Sequence, residues 1–72
     1  MTQQEKEEMI NSIAEFIEMD FDISLKMARE ITEKVAIAVN YEGDIGDLVQ
    51  DVVNAIIEDE YTIDEAIKEI IH

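Results

Sequence analysis

Residues 24–40 read Ser24-Leu25-Lys26-Met27-Ala28-Arg29-Glu30-Ile31-Thr32-Glu33-Lys34-Val35-Ala36-Ile37-Ala38-Val39-Asn40. The charged residues of this stretch sum to +1, in a chain whose net charge is −14. Its last turns, Val35 to Val39, are apolar on every side of a helix. A helix apolar all round is buried on most sides. The spacing therefore predicts a helix from about Ser24 to Val39 or Asn40, with its second half at the centre of the molecule and acidic helices around it. The same five residues are the longest apolar run in the chain, far short of the roughly 20 needed to span a membrane.

Upstream, Ile10, Ile13, Ala14 and Ile17 recur at i, i+3, i+4 and i+7, flanked by Met9 and Phe16, and predict an amphipathic helix from about Gln3 to Met19. Thr2 with Glu5 three residues on has the form of a capping box. Asp20-Phe21-Asp22 breaks the pattern, and Asp22 or Ser24 is placed to accept the free N–H groups that open the next helix. Downstream, Asn40-Tyr41-Glu42-Gly43-Asp44-Ile45-Gly46 is the main turn, with Asn40 or Gly43 as its left-handed stop. Asp44 or Asp47 caps a third helix running to about Ile57 or Glu58, in which Leu48, Val49, Val52, Val53, Ile56 and Ile57 recur in pairs. Thr62 and Glu65 form a second capping box, and Tyr61 before it is a staple for Ala66. Ala66, Ile67, Ile70 and Ile71 are the apolar face of this fourth helix. The short connection before it makes helices 3 and 4 antiparallel or sharply angled neighbours.

There is no Pro, and the two Gly, Gly43 and Gly46, fall in one segment. Absence of breakers with 3.6-residue periodicity predicts an all-α protein: a compact bundle of four short amphipathic helices with helix 2 central. Seventy-two residues make one domain, 1–72. At 47% apolar, with thirteen Ile, the chain is not a disordered acidic tail.

Charge and composition narrow the function. With 19 Asp and Glu against 5 Lys and Arg, nucleic acid, anionic membrane and acidic substrates are repelled. Attractive partners are basic. Zero Cys removes disulfides, thiolate metal sites and a Cys nucleophile. Together with an N-terminus lacking the pattern of a signal peptide, it fits a cytoplasmic location. The single His is His72, at a position where chain ends fray, and neither Ser12 nor Ser24 has a His nearby in sequence. No enzymatic activity and no cofactor are expected.

Asp20-Phe21-Asp22-Ile23-Ser24 imitates the start of a calcium loop, but Leu25 stands where Gly is required and Ile31 where Glu is required. Glu42, Asp44 and Asp47 flank a Gly-bearing turn, where two helix caps account for them, so no metal is expected. A helix-turn-helix across helices 2 and 3 fails on charge, since the would-be recognition helix carries Asp47, Asp51 and Glu58 and no Lys or Arg.

Asp22-Ile23-Ser24-Leu25 resembles the Asp-Ser-Leu motif of acyl carrier proteins, acidic four-helix domains of similar size whose Ser takes a phosphopantetheine arm. Thr62-Ile63-Asp64-Glu65-Ala66-Ile67 is similar to their last helix. The resemblance implies Ser24 as an attachment site. The chain departs from that pattern in the Ile between Asp22 and Ser24, and it lacks the long loop that carriers place before the Ser helix. The other reading of Ser24 is a helix cap.

The acidic faces remain. Glu8, Glu15, Glu18 and Asp22 spread, with Glu7, over roughly 100° of helix 1, and Asp47, Asp51 and Glu58 line up over about 16 Å of helix 3. Glu58-Asp59-Glu60 then continues the charge toward the C-terminus. Residues 41–72 alone carry ten acids and one Lys. Solubility is served by a net charge of magnitude about 2–8, and further charge costs stability through self-repulsion. The excess points to a carboxylate array standing in for a phosphate track inside the basic groove of a nuclease or other DNA- or RNA-handling protein. In size, charge and helicity the chain is similar to phage proteins that block restriction or CRISPR nucleases, which would put it in a host cell's cytoplasm. The alternative is a protein–protein interaction module or homodimer with incidental acidity. It would use Met9, Phe16, Met19, Phe21 or Tyr41, and the apolar edge near Met19, Phe21 and Ile23 would serve a dimer.

Overall fold

A computed structural model describes residues 1–71, and His72, expected above to fray, lies outside them. The described residues form four helices and no strand: α1 (Gln3–Phe21), α2 (Leu25–Ala38), α3 (Ile45–Asp59) and α4 (Ile63–Ile70).

Each helix begins on a side chain that accepts one of its free N–H groups. Glu5 N–H donates to Thr2 Oγ1 at 3.2 Å while Thr2 N–H donates to Glu5 Oε1 at 3.0 Å. The same reciprocal pair joins Glu65 and Thr62, at 3.2 and 3.0 Å. Met27 N–H donates to Ser24 Oγ at 3.1 Å, and Asp47 N–H to Asp44 Oδ1 at 3.3 Å. Ser24 and Asp44 are thus the caps of α2 and α3, as two of the alternatives left open by the sequence.

The ends differ more from expectation. α1 runs two residues beyond Met19, so Asp20 and Phe21 are helical, and Asp22 stops the helix with φ 52°. α2 closes in a Schellman arrangement: Tyr41 N–H donates to Ala36 O at 2.7 Å and Asn40 N–H to Ile37 O at 3.1 Å. Asn40 takes the left-handed position at φ 55°, followed by Tyr41 at φ 58° and Gly43 at φ 81°. α3 stops on Glu60, φ 58°.

The core is built from Ala14 and Ile17 of α1, Ala28, Ile31, Val35 and Ala36 of α2, Ile45, Val49, Val52, Val53 and Ala55 of α3, and Ala66 of α4. Thr32, buried among them, donates its hydroxyl to Ala28 O at 2.7 Å. α2 is central, packing against α1, α3 and α4. α3 shares that position, while α1 packs mainly on α2 and α4 mainly on α3.

The molecule measures 34 × 27 × 16 Å, shallow beside a helix diameter of about 10–12 Å. That shape corrects one expectation. The second half of α2 is not covered on most sides: Val35 and Ala36 are buried, but Ile37 is 59% exposed and Ala38 is exposed as well. A slab this thin covers one side of α2. The apolar run Val35–Val39 is therefore half core and half outer surface. Likewise Phe16 and Ile57, each 51% exposed, lie at the edges of their helices' apolar faces.

Candidate acidic interface

The carboxylates singled out from sequence fall on outward surfaces. On α1, Glu8 and Glu15 are exposed and Glu18 is half-buried. The two Gln of the first turn extend polar contacts along this face: Gln4 Nε2 donates to Glu8 Oε1 at 3.3 Å and Gln3 Nε2 to Glu7 Oε1 at 3.4 Å. Asp22, also exposed, ends the stripe at the left-handed stop. On α3, Asp47, Asp51 and Glu58 are exposed on the side opposite Val49, Val52 and Val53. Asp59 closes that helix and Glu60 is its exposed stop. The stripes ride on two different helices that touch only slightly.

Two clusters of acids form within α3. At its start, the Asp44 carboxylate beside Asp47 pushes the Asp47 carboxyl above its usual range, helped by a hydrogen bond with Asp44, slight desolvation and the charge of Asp51. At its end, Glu58, Asp59 and Glu60 are consecutive and are followed by the acidic first turn of α4, Asp64 and Glu65. By contrast, Thr2 and Thr62 hold the Glu5 and Glu65 carboxyls below their usual range by donating backbone N–H groups to them.

Little within the molecule neutralises these charges. Among the described residues the one ion pair is Lys34 Nζ to Asp64 Oδ1 at 3.4 Å, between exposed side chains. Lys6 is engaged otherwise, its Nζ 4.5 Å from the centre of the Tyr41 ring. None of the nine carboxylates named from sequence has a cationic partner among the described residues.

Their position along the helices also runs against local stability. A helix C-terminus carries partial negative charge and favours cations. The last turns of α1 and α3 contain no basic residue. They contain Glu18 and Asp20 in one, Glu58 and Asp59 in the other, with Asp22 and Glu60 immediately beyond. Both stops adopt the left-handed conformation, which ordinarily goes to Gly or Asn.

The remaining sequence candidates resolve as follows. Ser24 is exposed, with its oxygen accepting the Met27 N–H. Glu42, Asp44 and Asp47 do not converge: among the described residues no three carboxylates or imidazoles gather in an arrangement able to hold a metal ion. No helix among the described residues is long and apolar enough to cross a membrane. Of the apolar edge, Phe21 and Ile23 pack against the core, leaving Met19 as its exposed member at 81%.

Sequence reasoning missed the left-handed stops at Asp22 and Glu60. Only three residues separate α1 from α2, and α3 from α4, so at both places the chain must reverse at once. No known protein family, curated protein or solved structure matches the chain.

Proposed function

We propose that this protein is a non-enzymatic inhibitor that occupies the basic nucleic-acid-binding groove of a nuclease or other DNA- or RNA-handling protein. It does so by presenting carboxylates where the groove expects phosphates. The observation that carries the reading is the placement of acids without a cationic partner among the described residues at the C-terminal ends of α1 and α3, where the helix dipole opposes them and, at Asp22 and Glu60, a left-handed backbone does too. Acids kept for solubility alone would be better placed elsewhere. Duplex DNA displays about one charge per 1.7 Å of its axis. Glu58 and Asp59 at the end of α3, with Glu60 at its stop, gather three carboxylates within about one helical turn. Association with a cationic groove would be steered and fast. The protein itself would bind no nucleic acid, metal or cofactor, and would act in the cytoplasm where its target works.

A panel of restriction and RNA-guided nucleases, each pre-bound to fluorescent duplex DNA, tests this by competition. The expected result is release of duplex from at least one enzyme, weakening steeply as salt rises from low to high. Inhibition that is indifferent to salt would defeat the electrostatic reading. It would favour the rival one, an apolar contact through Phe16 and Met19, which are 51% and 81% exposed. Reversing Glu8 and Glu15 in one variant, and Asp47 and Asp51 in another, identifies which helix enters the groove.

A further inference from the structure

The outer face of α2 differs from every other charged surface of the molecule. Lys26, Arg29, Glu30 and Glu33 are all exposed. At 3.6 residues per turn they fall within roughly 100° of one helix face, opposite the buried residues Ala28, Ile31 and Val35. They line, with Leu25, a shallow groove of about 580 Å³. Within this face the charges run plus, plus, minus, minus. Lys26 and Arg29 have no carboxylate partner in the folded chain, since Lys34–Asp64 is the one ion pair among the described residues. The face is framed by exposed apolar side chains, Leu25 at 39% and Ile37 at 59%.

That order is antisymmetric about the midpoint between Arg29 and Glu30. If a second α2 is laid antiparallel on the first, with a two-fold axis at that midpoint, Lys26 faces Glu33 of the partner subunit. Arg29 faces Glu30 of the partner subunit, and the two reciprocal pairs complete the set. A parallel pairing would set like charges against each other. We propose that the outer face of α2 is a homodimer interface, occupied by α2 of a second copy of this chain in antiparallel, two-fold symmetric register.

Three physical points support this occupant. A two-fold interface must be self-complementary, and this face has the charge order that requires. At a net charge of −14 two copies repel at long range, so a contact between them needs locally matched charges, which this face has. The matched charges set orientation and register, while Leu25 of each copy, facing the aliphatic stem of the partner subunit's Lys34, supplies apolar area at the two ends. Glu7 of α1 borders this face beside Arg29 and Glu33, and the inference rests on the charge order of α2 and not on the function proposed above.

Sedimentation velocity over a concentration series, with native mass spectrometry of mixtures, tests the register. All four residues are exposed, and circular dichroism checks that each variant folds. The wild-type chain is expected to dimerise as its concentration rises. A half-swap, Lys26→Glu with Arg29→Glu, makes the face wholly negative and is expected to weaken the dimer by about tenfold or more. The full swap adds Glu30→Lys and Glu33→Lys, keeps the net charge, restores the antisymmetric order and is expected to dimerise again. Wild-type and fully swapped chains are expected to exclude each other, because their mixed antiparallel pairing opposes like charges at all four positions. The proposal is overturned by a wild-type chain that stays monomeric at millimolar concentration, by a half-swap that dimerises as tightly, by a monomeric full swap, or by free mixing of the two.

Discussion

The helices of this protein start and stop by opposite rules. At the starts, Thr2, Ser24, Asp44 and Thr62 each accept a free N–H, and Glu5 and Glu65 sit where the helix dipole welcomes a carboxylate. At the stops of α1 and α3, acidic residues take the left-handed position and crowd the negative end of the dipole with no basic residue in the last turn. One set of ends is arranged for stability. The other set sacrifices some, and the sacrifice falls on the residues best placed to meet a cationic partner. The contrast teaches that acids stand at both kinds of end, and that those at the stops of α1 and α3 lack the local support that Glu5 and Glu65 have at the starts.

Reversing the charge at one stop should produce the largest effect and divide binding from stability. Glu58→Lys with Asp59→Lys is expected to weaken inhibition of a susceptible nuclease by about a hundredfold, since close charge pairs across an interface couple strongly. The same variant should unfold at a higher temperature, because cations now sit at the negative end of α3. Calorimetry beside the competition assay measures both. A variant that loses stability and keeps inhibition would erase the contrast between starts and stops.

Removing a start should cost stability alone. Thr62→Ala takes away the oxygen that accepts the Glu65 N–H at 3.2 Å, and loss of such a cap costs about 1 kcal/mol. α4 has only eight residues, too short to hold itself without that anchor and the packing of Ala66. Urea denaturation should therefore register the loss, with the charge-dependent competition unchanged for chains that remain folded.

These two ends also explain what was legible from sequence. An N-cap acts between residues three apart, so Thr2–Glu5 and Thr62–Glu65 announce themselves in the order of residues. The amphipathic repeats of α1 and α3 are equally local, and they sufficed to reveal a four-helix bundle with α2 at its centre. What stayed hidden depends on the whole. Ile37 reads as core because its neighbours are apolar, yet its exposure is decided by how thin a slab the other helices make. Asp22 and Glu60 read as ordinary surface acids, since nothing local in an Asp or Glu asks for φ near 55°; the short connections impose it. The carboxylates of the acidic stripes were recognisable one by one, whereas their lack of cationic partners is a property of the folded surface.

The left-handed stop of α3 offers a smaller and opposite change. Glu60, at φ 58°, carries a Cβ in a conformation that costs an L-residue about 1 kcal/mol and glycine almost nothing. Glu60→Gly is expected to raise unfolding stability by about that amount, less the extra chain entropy glycine brings to the unfolded state. If Glu60 serves only as a turn residue, inhibition stays as it was. If it meets the groove, the more stable protein is the weaker inhibitor, and the two readouts move apart.

The smallest effect separates the two kinds of acid through pH. Asp47 titrates above its usual range because Asp44 is ionised beside it, so its ionised form destabilises the fold, and that cost disappears as pH falls through the raised value. Glu65 titrates below its usual range because Thr62 donates to it, so its contribution is complete above the ordinary carboxylate range and is lost as pH falls through the lowered value. Asp47→Asn should therefore melt above the wild type at neutral pH, and Glu65→Gln below it. On acidification the Asp47→Asn curve should rejoin the wild type first, and the Glu65→Gln curve only at lower pH. Melting temperatures of the three chains from neutral pH into the carboxylate range measure the order of convergence. If the Glu65→Gln curve rejoined first, the two helix starts, Asp44–Asp47 and Thr62–Glu65, would be electrostatically alike, and the distinction between acids that build the fold and acids that burden it would lose its footing.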